Sequence, residues 1–181
     1  ANHTGVMQAG LVSLGGIDDT MFDKIVDTGL KGTFNTLRVA AGKLRRGGRI
    51  VNLSSGAAKL ALPGYSVYAA TKSAVETMAS IFAKELRGGN ILVNAVAPGF
   101  IETDMTAAMT PEARTALSGQ IPLDRRGTPQ YIAATVAFLA SDHASYIPGP
   151  VPLARGRRVM VHVLLPVGSL PALLTLPEPY S

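Results

Sequence analysis

The 181-residue sequence contains no cysteine, which excludes a disulfide framework, a thiolate metal site and a thiol nucleophile. It also lacks an unbroken apolar run that would span a membrane, because Pro166, Pro171 and His162 interrupt the longest candidate near the C-terminus. At the start of the sequence no basic region precedes an apolar run, so a secretory signal is not visible. We therefore expect a cytoplasmic protein with no membrane partner.

The composition is typical of a protein with a substantial apolar core. Apolar residues make up 47% of the chain and charged residues 16%, as in a single folded domain. The net charge is +5, but no aromatic residues interleave with the basic clusters at 43–46 and 155–158. These clusters therefore indicate solvated surface, and we expect no nucleic-acid partner. The three histidines are isolated from one another, so we expect no metal site.

The spacing of the apolar residues predicts an α/β fold. Helical spacing from Phe22 predicts one amphipathic helix that ends near Leu44, and the short apolar run at 50–53 predicts a buried parallel strand after it. A second helix ends before Gly88, and "NILVNAVAPGF" predicts a further strand. The order strand, helix, strand is that of a parallel crossover. The buried face of the second helix is predicted to be apolar, with Ala70, Ala74, Val75, Met78, Phe82 and Leu86.

The C-terminal part of the chain has a different character. Thr128 and Pro129 predict the cap and the first residue of a third helix. Beyond it, prolines alternate in "IPGPVPLARGRR", and because proline cannot donate a hydrogen bond in a sheet, any strand here is an edge strand or irregular. The pattern of the last residues predicts no regular element.

Several polar residues are predicted to meet at one edge of the sheet. Tyr68 and Lys72 are four residues apart on the second helix, while Ser54 and Ser55 end the first strand and "PGFIET" ends the second. A phenol has a pKa of about 10, and an adjacent ammonium would bring it toward neutral pH. A serine hydroxyl would hold a substrate oxygen beside the phenol for proton exchange. A hydride requires a cofactor such as a nicotinamide, because no side chain supplies one.

These residues resemble those of the short-chain dehydrogenases/reductases, and more closely those of the members that act on 3-oxoacyl carrier protein. "YAATK" matches the family's Tyr-x-x-x-Lys motif, and Ser55 lies 13 residues before Tyr68, as the family's catalytic serine does. "NAVAPGFIETDM" is similar to the loop that closes over nicotinamide in the family. The match runs from about Gly5 to Ile147. The resemblance implies a partial Rossmann-like, doubly wound parallel sheet.

The resemblance also implies a role for individual residues. Tyr68 would be the general acid/base, Lys72 would lower the pKa of Tyr68 and bind ribose, and Ser55 would hold the substrate oxygen. The cofactor side would consist of Asn2, Gly5, Tyr68, Lys72, Pro98, Gly99, Ile101 and Thr103. The implied reaction interconverts a carbonyl and a secondary alcohol with NAD or NADP. The sequence leaves open both the substrate and the choice between the two cofactors.

The sequence departs from the family pattern at several points. No Thr-Gly-x-x-x-Gly-x-Gly turn, which receives the pyrophosphate in the family, precedes the match, so we expect weakened cofactor binding. Gly29 occupies the position at which many members have an asparagine that holds a relay water. The match fades after Gly149. We therefore expect a partial family domain over residues 1–149, without its N-terminal glycine-rich unit, and a divergent tail over 150–181.

Plainer interpretations stay open for the same residues. Tyr68 and Lys72 would also make an ordinary helix-surface pair, the serines would satisfy loop backbone, and Thr103 would cap a helix. The function is accordingly either a Ser-Tyr-Lys oxidoreductase or a catalytically silent remnant that acts as an interaction module. The exposed faces of the first two long helices are either solvated or the contact surface of a homo-oligomer, which is the arrangement we expect.

Overall fold

The computed structural model of the protein describes residues 5–8, 10–118, 121, 125–147 and 153–154. Asn2, which the sequence analysis places on the cofactor side, and most of the predicted tail lie outside these residues. The predictions that concern them stay predictions.

Helices and short strands alternate along the described chain. The helices are α1 (Asp19–Val26), α2 (Gly32–Lys43), α3 (Ala57–Leu60), α4 (Ser66–Glu85), α5 (Asp104–Ala107), α6 (Pro111–Ser118) and α7 (Pro129–Ala140). The strands are β1 (Arg49–Leu53), β2 (Leu92–Pro98) and β3 (Leu153–Ala154). A π-helical turn at Asp27–Lys31 joins α1 to α2, and 3₁₀ turns lie at Leu14–Gly16, Arg87–Gly89 and Asp142–Ala144.

The strands form a parallel sheet in the order β1, β2, β3. Arg49 pairs with Leu92 and Leu53 with Val96, so β1 and β2 run in the same direction with α4 between them along the chain. The predicted strand, helix, strand unit and the α/β class are confirmed. β3 pairs with β2 through Ala97 and Leu153, at an edge of the described sheet, where the prolines predicted that any strand would lie.

Helices cover both faces of this sheet. Because side chains alternate along a strand, Ile50, Val93 and Ala95 face α2 and α4, where they pack with other buried residues. Val51 and Val96 face the other way and pack against Leu139 of α7. Apolar side chains on both faces explain why the strands read as continuous hydrophobic runs.

The first predicted helix differs in its start and in its regularity. It begins at Asp19, three residues before Phe22, because the Asp18 carboxylate caps it by accepting a hydrogen bond from the Met21 backbone N–H at 2.8 Å. It ends at Lys43, close to the predicted end, but the π-helical turn interrupts it at Gly29. The spacing of apolar residues does not distinguish such a turn from a regular helix.

The predicted buried face of α4 is wrong in part. Val75 is buried, but Ala70 is exposed, and the buried stripe of α4 also contains the polar residues Tyr68, Lys72 and Glu76. The prediction assumed that only apolar side chains face the core. At the end of a strand, backbone carbonyls and hydroxyls provide partners that make burial of polar side chains possible.

Two further points concern the helices. Thr128 has the extended N-cap conformation before α7, as predicted, but among the described residues its side chain makes no capping hydrogen bond. None of the helices in the described part of the chain combines the length and the apolar character needed to cross a bilayer.

Candidate functional site

A cavity of about 1170 Å³ lies at the carboxyl ends of β1 and β2. Residues from the end of β1, from the start of α4 and from the loop after β2 line it, as expected for parallel strands whose carboxyl ends meet at one edge. The predicted site residues among them are Gly5, Ser55, Tyr68, Lys72, Pro98, Gly99, Ile101 and Thr103. The structure thus brings together every predicted site residue that it describes.

Tyr68 and Ser55 both line this cavity. Tyr68 is only 8% exposed. The Ser55 hydroxyl oxygen accepts a hydrogen bond from the Ala57 backbone N–H at 3.2 Å, which fixes its position at the start of α3. Burial raises the pKa of Tyr68 above its usual value of 10.0, while the Ser55 hydroxyl acts in the opposite direction.

Lys72 lies one turn further along α4 and is buried as well. Its ammonium donates a hydrogen bond to the Leu53 backbone oxygen at 3.0 Å and lies 5.9 Å from the centre of the Tyr68 ring. Burial lowers the pKa of Lys72 from 10.5 to about 8. A side chain that is 4% exposed and partly deprotonated at mildly alkaline pH is unusual for a lysine.

The pKa of Tyr68 is shifted in the direction opposite to the prediction. The sequence predicts that a nearby ammonium lowers the pKa of Tyr68, but the net shift is upward. The largest cause is the burial of the phenol, and Lys72 is not among the causes that contribute to the shift. The Lys72 ammonium lies against the Leu53 carbonyl at 3.0 Å, which accounts for one of its hydrogen bonds.

The backbone at Gly5 closes one side of the cavity beside Lys72. A Cβ atom added at Gly5 would come within 2.9 Å of the Lys72 Nζ atom, so only glycine fits there without moving the ammonium. Thr103 lies farther along the wall and caps α5, since its side chain accepts from the Thr106 backbone N–H at 3.4 Å. Capping is thus one role of Thr103, and its hydroxyl oxygen still lines the cavity.

Gly29 lies in the π-helical turn, buried against α4. A Cβ atom at this position would lie 3.2 Å from the Thr71 Oγ1 atom and 3.4 Å from its Cβ atom, so the glycine permits a close approach of the turn to α4. The close packing against Thr71 is a structural reason for a glycine at this position.

Sequence reasoning missed some residues of the site. Tyr65 is buried beside Tyr68, and its burial, followed by the charge of the Tyr68 phenolate, raises the pKa of Tyr65. Glu76 is buried one turn beyond Lys72 on the same stripe of α4. The signal was available in the sequence, because Tyr68, Lys72 and Glu76 are spaced by four residues, but an apolar pattern was sought instead.

Comparison with known proteins gives a consistent set of relatives. Residues 1–153 match a protein family described as enoyl-(acyl carrier protein) reductase. The chain is 45% identical over 132 residues to the 3-oxoacyl-[acyl-carrier-protein] reductase FabG of Thermotoga maritima, covering 72% of this chain and 54% of that protein. It is 43% identical over 150 residues to FabG of Staphylococcus aureus (strain Mu50), covering 82% of this chain and 60% of that protein. The chain therefore spans little more than half the length of these relatives.

A solved structure has a similar fold. The crystal structure of the angucycline C-6 ketoreductase LanV with bound NADP superimposes with a TM-score of 0.78 and 34% sequence identity. The similarity covers 84% of this chain and 58% of the ketoreductase chain. The fold and the relatives point to the same kind of protein.

Proposed function

The chain belongs to the short-chain dehydrogenase/reductase family, and from this premise we propose that it is an NAD- or NADP-dependent oxidoreductase that interconverts a ketone and a secondary alcohol. The observation that carries the proposal is the convergence of Ser55, the buried Tyr68 and the buried Lys72 on one cavity at the carboxyl ends of β1 and β2. FabG relatives and a ketoreductase with bound NADP support the reaction class.

In the proposed mechanism, Tyr68 exchanges the proton of the substrate oxygen. A ketone oxygen held by the Ser55 hydroxyl would lie next to the Tyr68 phenol, because both side chains line the same cavity. The phenol is protonated at neutral pH, since burial raises its pKa, so it acts as the acid in the direction of reduction. Lys72 lies as a cation about 6 Å from the Tyr68 ring and is proposed to bind the cofactor ribose rather than to set the pKa of Tyr68.

The nicotinamide, when bound, supplies the hydride. Gly5, Lys72 and Thr103 would hold its ribose end, because they offer an ammonium, a hydroxyl and a glycine that permits close approach. Pro98, Gly99 and Ile101 line the same cavity and are proposed to contact the cofactor as well. Asn2 is also proposed as a cofactor contact, from the sequence alone. The choice between NAD and NADP stays open.

The substrate is proposed to be a small carbonyl or alcohol compound. Much of the cavity lining is apolar, with Leu60, Leu62, Tyr65, Phe100, Met105 and Met109. Such a surface accepts the carbon skeleton of many ketones and does not by itself choose among them. No nucleic acid and no membrane are proposed as partners, and the cytoplasmic location stays a prediction from the sequence.

Cofactor binding tests this function first. We expect NADH or NADPH to bind the 181-residue chain in a saturable manner, followed by nicotinamide fluorescence, and we expect Lys72→Ala to weaken binding more than Tyr68→Phe does. Lys72→Ala removes the positive charge that is proposed to hold the cofactor, whereas Tyr68→Phe keeps an aromatic ring in the same packing position. Absence of binding up to millimolar concentrations of both cofactors would contradict the proposal and favour the silent remnant that the sequence leaves open.

We also propose that the protein forms a homo-oligomer through α2 and α4. Large apolar side chains are half exposed on these helices, with Phe34 at 48%, Val39 at 53% and Ile81 at 51%. We expect sedimentation velocity to show a species larger than the monomer, and the double variant Val39→Glu, Ile81→Glu to dissociate it, because two carboxylates would be buried at the contact. Phe138→Glu on α7, also half exposed, is the matched control. A monodisperse wild-type monomer would refute this arrangement.

A further inference from the structure

Three residues on one stripe of α4 each contact a different residue at the end of β1. The Lys72 ammonium donates to the Leu53 backbone oxygen at 3.0 Å, and the Tyr68 phenol lies close enough to the Ser55 hydroxyl for Ser55 to lower its pKa. Between them, the Ser54 hydroxyl donates to the Glu76 carboxylate at 2.8 Å. Three successive residues of the chain are thus held by side chains spaced at four-residue intervals on the helix.

Glu76 differs from the other two because it is a buried acid with no place in the proposed proton transfer. Its residue is only 5% exposed, and both carboxylate oxygens have partners. One oxygen accepts from Ser54, while the other lies 2.7 Å from the Lys59 ammonium. Burying a carboxylate is costly unless it is paired, and the pair with Lys59 offsets that cost here.

Lys59 links the Glu76 carboxylate to the segment that holds Ser55. It lies in α3, which begins two residues after Ser55 and whose Ala57 backbone N–H donates to the Ser55 oxygen. α3 is attached to α4 a second time, because the Ser73 hydroxyl donates to the Ala58 backbone oxygen at 3.2 Å. Ser55 therefore lies between two segments that Glu76 holds against α4, Ser54 on one side and α3 on the other.

We propose that Glu76 is a positioning residue which, through Ser54 and Lys59, fixes the end of β1 against α4 and so holds Ser55 in contact with Tyr68. The catalytic importance of Glu76 rests on the proposed function. Its effect on the contact between Ser55 and Tyr68 is independent of that function. Replacing both partners of a buried ion pair by apolar side chains is often neutral, whereas removing only one partner is destabilising. Stability therefore does not distinguish a purely structural Glu76 from a positioning Glu76, but the titration of Tyr68 does.

The experiment follows the Tyr68 ring in the full 181-residue chain by NMR with ¹³Cζ-labelled tyrosine, the signal being identified by its loss in Tyr68→Phe. Ser55→Ala removes the bond that lowers the pKa of Tyr68, so the titration midpoint of Tyr68 shifts upward. Glu76→Met, which keeps the length of the side chain and removes its polar contacts, is expected to shift it in the same direction. The double variant is expected to shift no further. Tyr65, which also faces Tyr68, is present in every variant.

Other variants separate positioning from a general effect on folding. Glu76→Gln keeps an oxygen that can accept from Ser54, so its shift is smaller than that of Glu76→Met. Glu85→Gln, at the exposed end of α4, is the matched control and leaves Tyr68 unchanged. If Glu76→Met does not fold by circular dichroism, Lys59→Met replaces it, since the Lys59 side chain is half exposed, and a Tyr68 shift is again required.

The proposal is overturned if Tyr68 titrates as in the wild type in the folded Glu76→Met or Lys59→Met chain, or if the shifts of Ser55→Ala and Glu76→Met add in the double variant. Reductase activity is measured separately. A chain without activity whose Tyr68 signal responds to Glu76 would contradict the proposed function and support the positioning role.

Discussion

Tyr68→Phe is expected to lower kcat for ketone reduction by about 10²- to 10⁴-fold, the usual contribution of a positioned general acid. The substitution removes the proton donor but keeps an aromatic ring at a position where the native residue is only 8% exposed. The loss corresponds to about 3 to 5 kcal/mol of transition-state stabilisation. Steady-state rates with NADPH and an uncharged ketone measure it.

The control for this experiment is another tyrosine whose hydroxyl has a partner. Tyr131 is 54% exposed on α7, and its hydroxyl accepts a hydrogen bond from Arg125 at 3.2 Å. Tyr131→Phe therefore removes a comparable bond outside the cavity and is expected to leave kcat within a factor of about two, because surface substitutions have small effects. A Tyr68→Phe chain as active as Tyr131→Phe would exclude Tyr68 as the proton donor.

The second large effect is an increase in the free energy of unfolding with rising pH, caused by the buried Lys72. Because burial lowers the pKa of Lys72 from 10.5 to about 8, the unfolded chain binds more protons than the folded one between these values. The free energy of unfolding therefore receives an increasing contribution from Lys72 as the pH rises from about 8 toward 10.5. A shift of this size corresponds to about 3 kcal/mol, and below pH 8 the full cost of burying the ammonium is present.

Lys72→Met is expected to remove this pH dependence. Urea unfolding between pH 7 and 10 measures the difference in unfolding free energy between the wild type and the variant, which cancels the contributions of other groups. The free energy of unfolding of the wild type is expected to increase relative to that of Lys72→Met by up to about 3 kcal/mol as the pH rises. Buried tyrosines act in the opposite direction above pH 10, so the comparison stops there. Lys84→Met on the exposed side of α4 is the control, and parallel curves for wild type and Lys72→Met would contradict the prediction.

The sequence predicted the α/β unit because its signals are local. The strand at 50–53, the glycines that follow α4 and the proline at the start of α7 each determine structure within a few residues, and the structure has all of these elements. The convergence of Ser55, Tyr68 and Lys72 on one cavity was predictable as well, since parallel strands place their carboxyl ends together.

The remaining features depend on contacts between distant segments. Glu76 is buried because Ser54 and Lys59, both more than fifteen residues earlier in the sequence, satisfy its carboxylate. The upward pKa shift of Tyr68 depends on how deeply the packed core buries the phenol. The periodicity of a sequence predicts which side of a helix is apolar. The burial of Glu76 and the pKa of Tyr68 depend instead on the residues of other segments that pack against them.

The π-helical turn has a geometric consequence for the whole helix from Asp19 to Lys43. Its buried residues, Ile25, Gly29, Thr33 and Leu37, recur at every fourth position. In a regular α-helix each residue advances by about 100°, so three steps of four residues would rotate Leu37 by about 120° away from Ile25. The one extra residue in the turn takes up about 100° of that rotation. The buried side chains of α1, the π-helical turn and α2 therefore face nearly the same direction. They do so although the two ends of the helix pack into different clusters of the core.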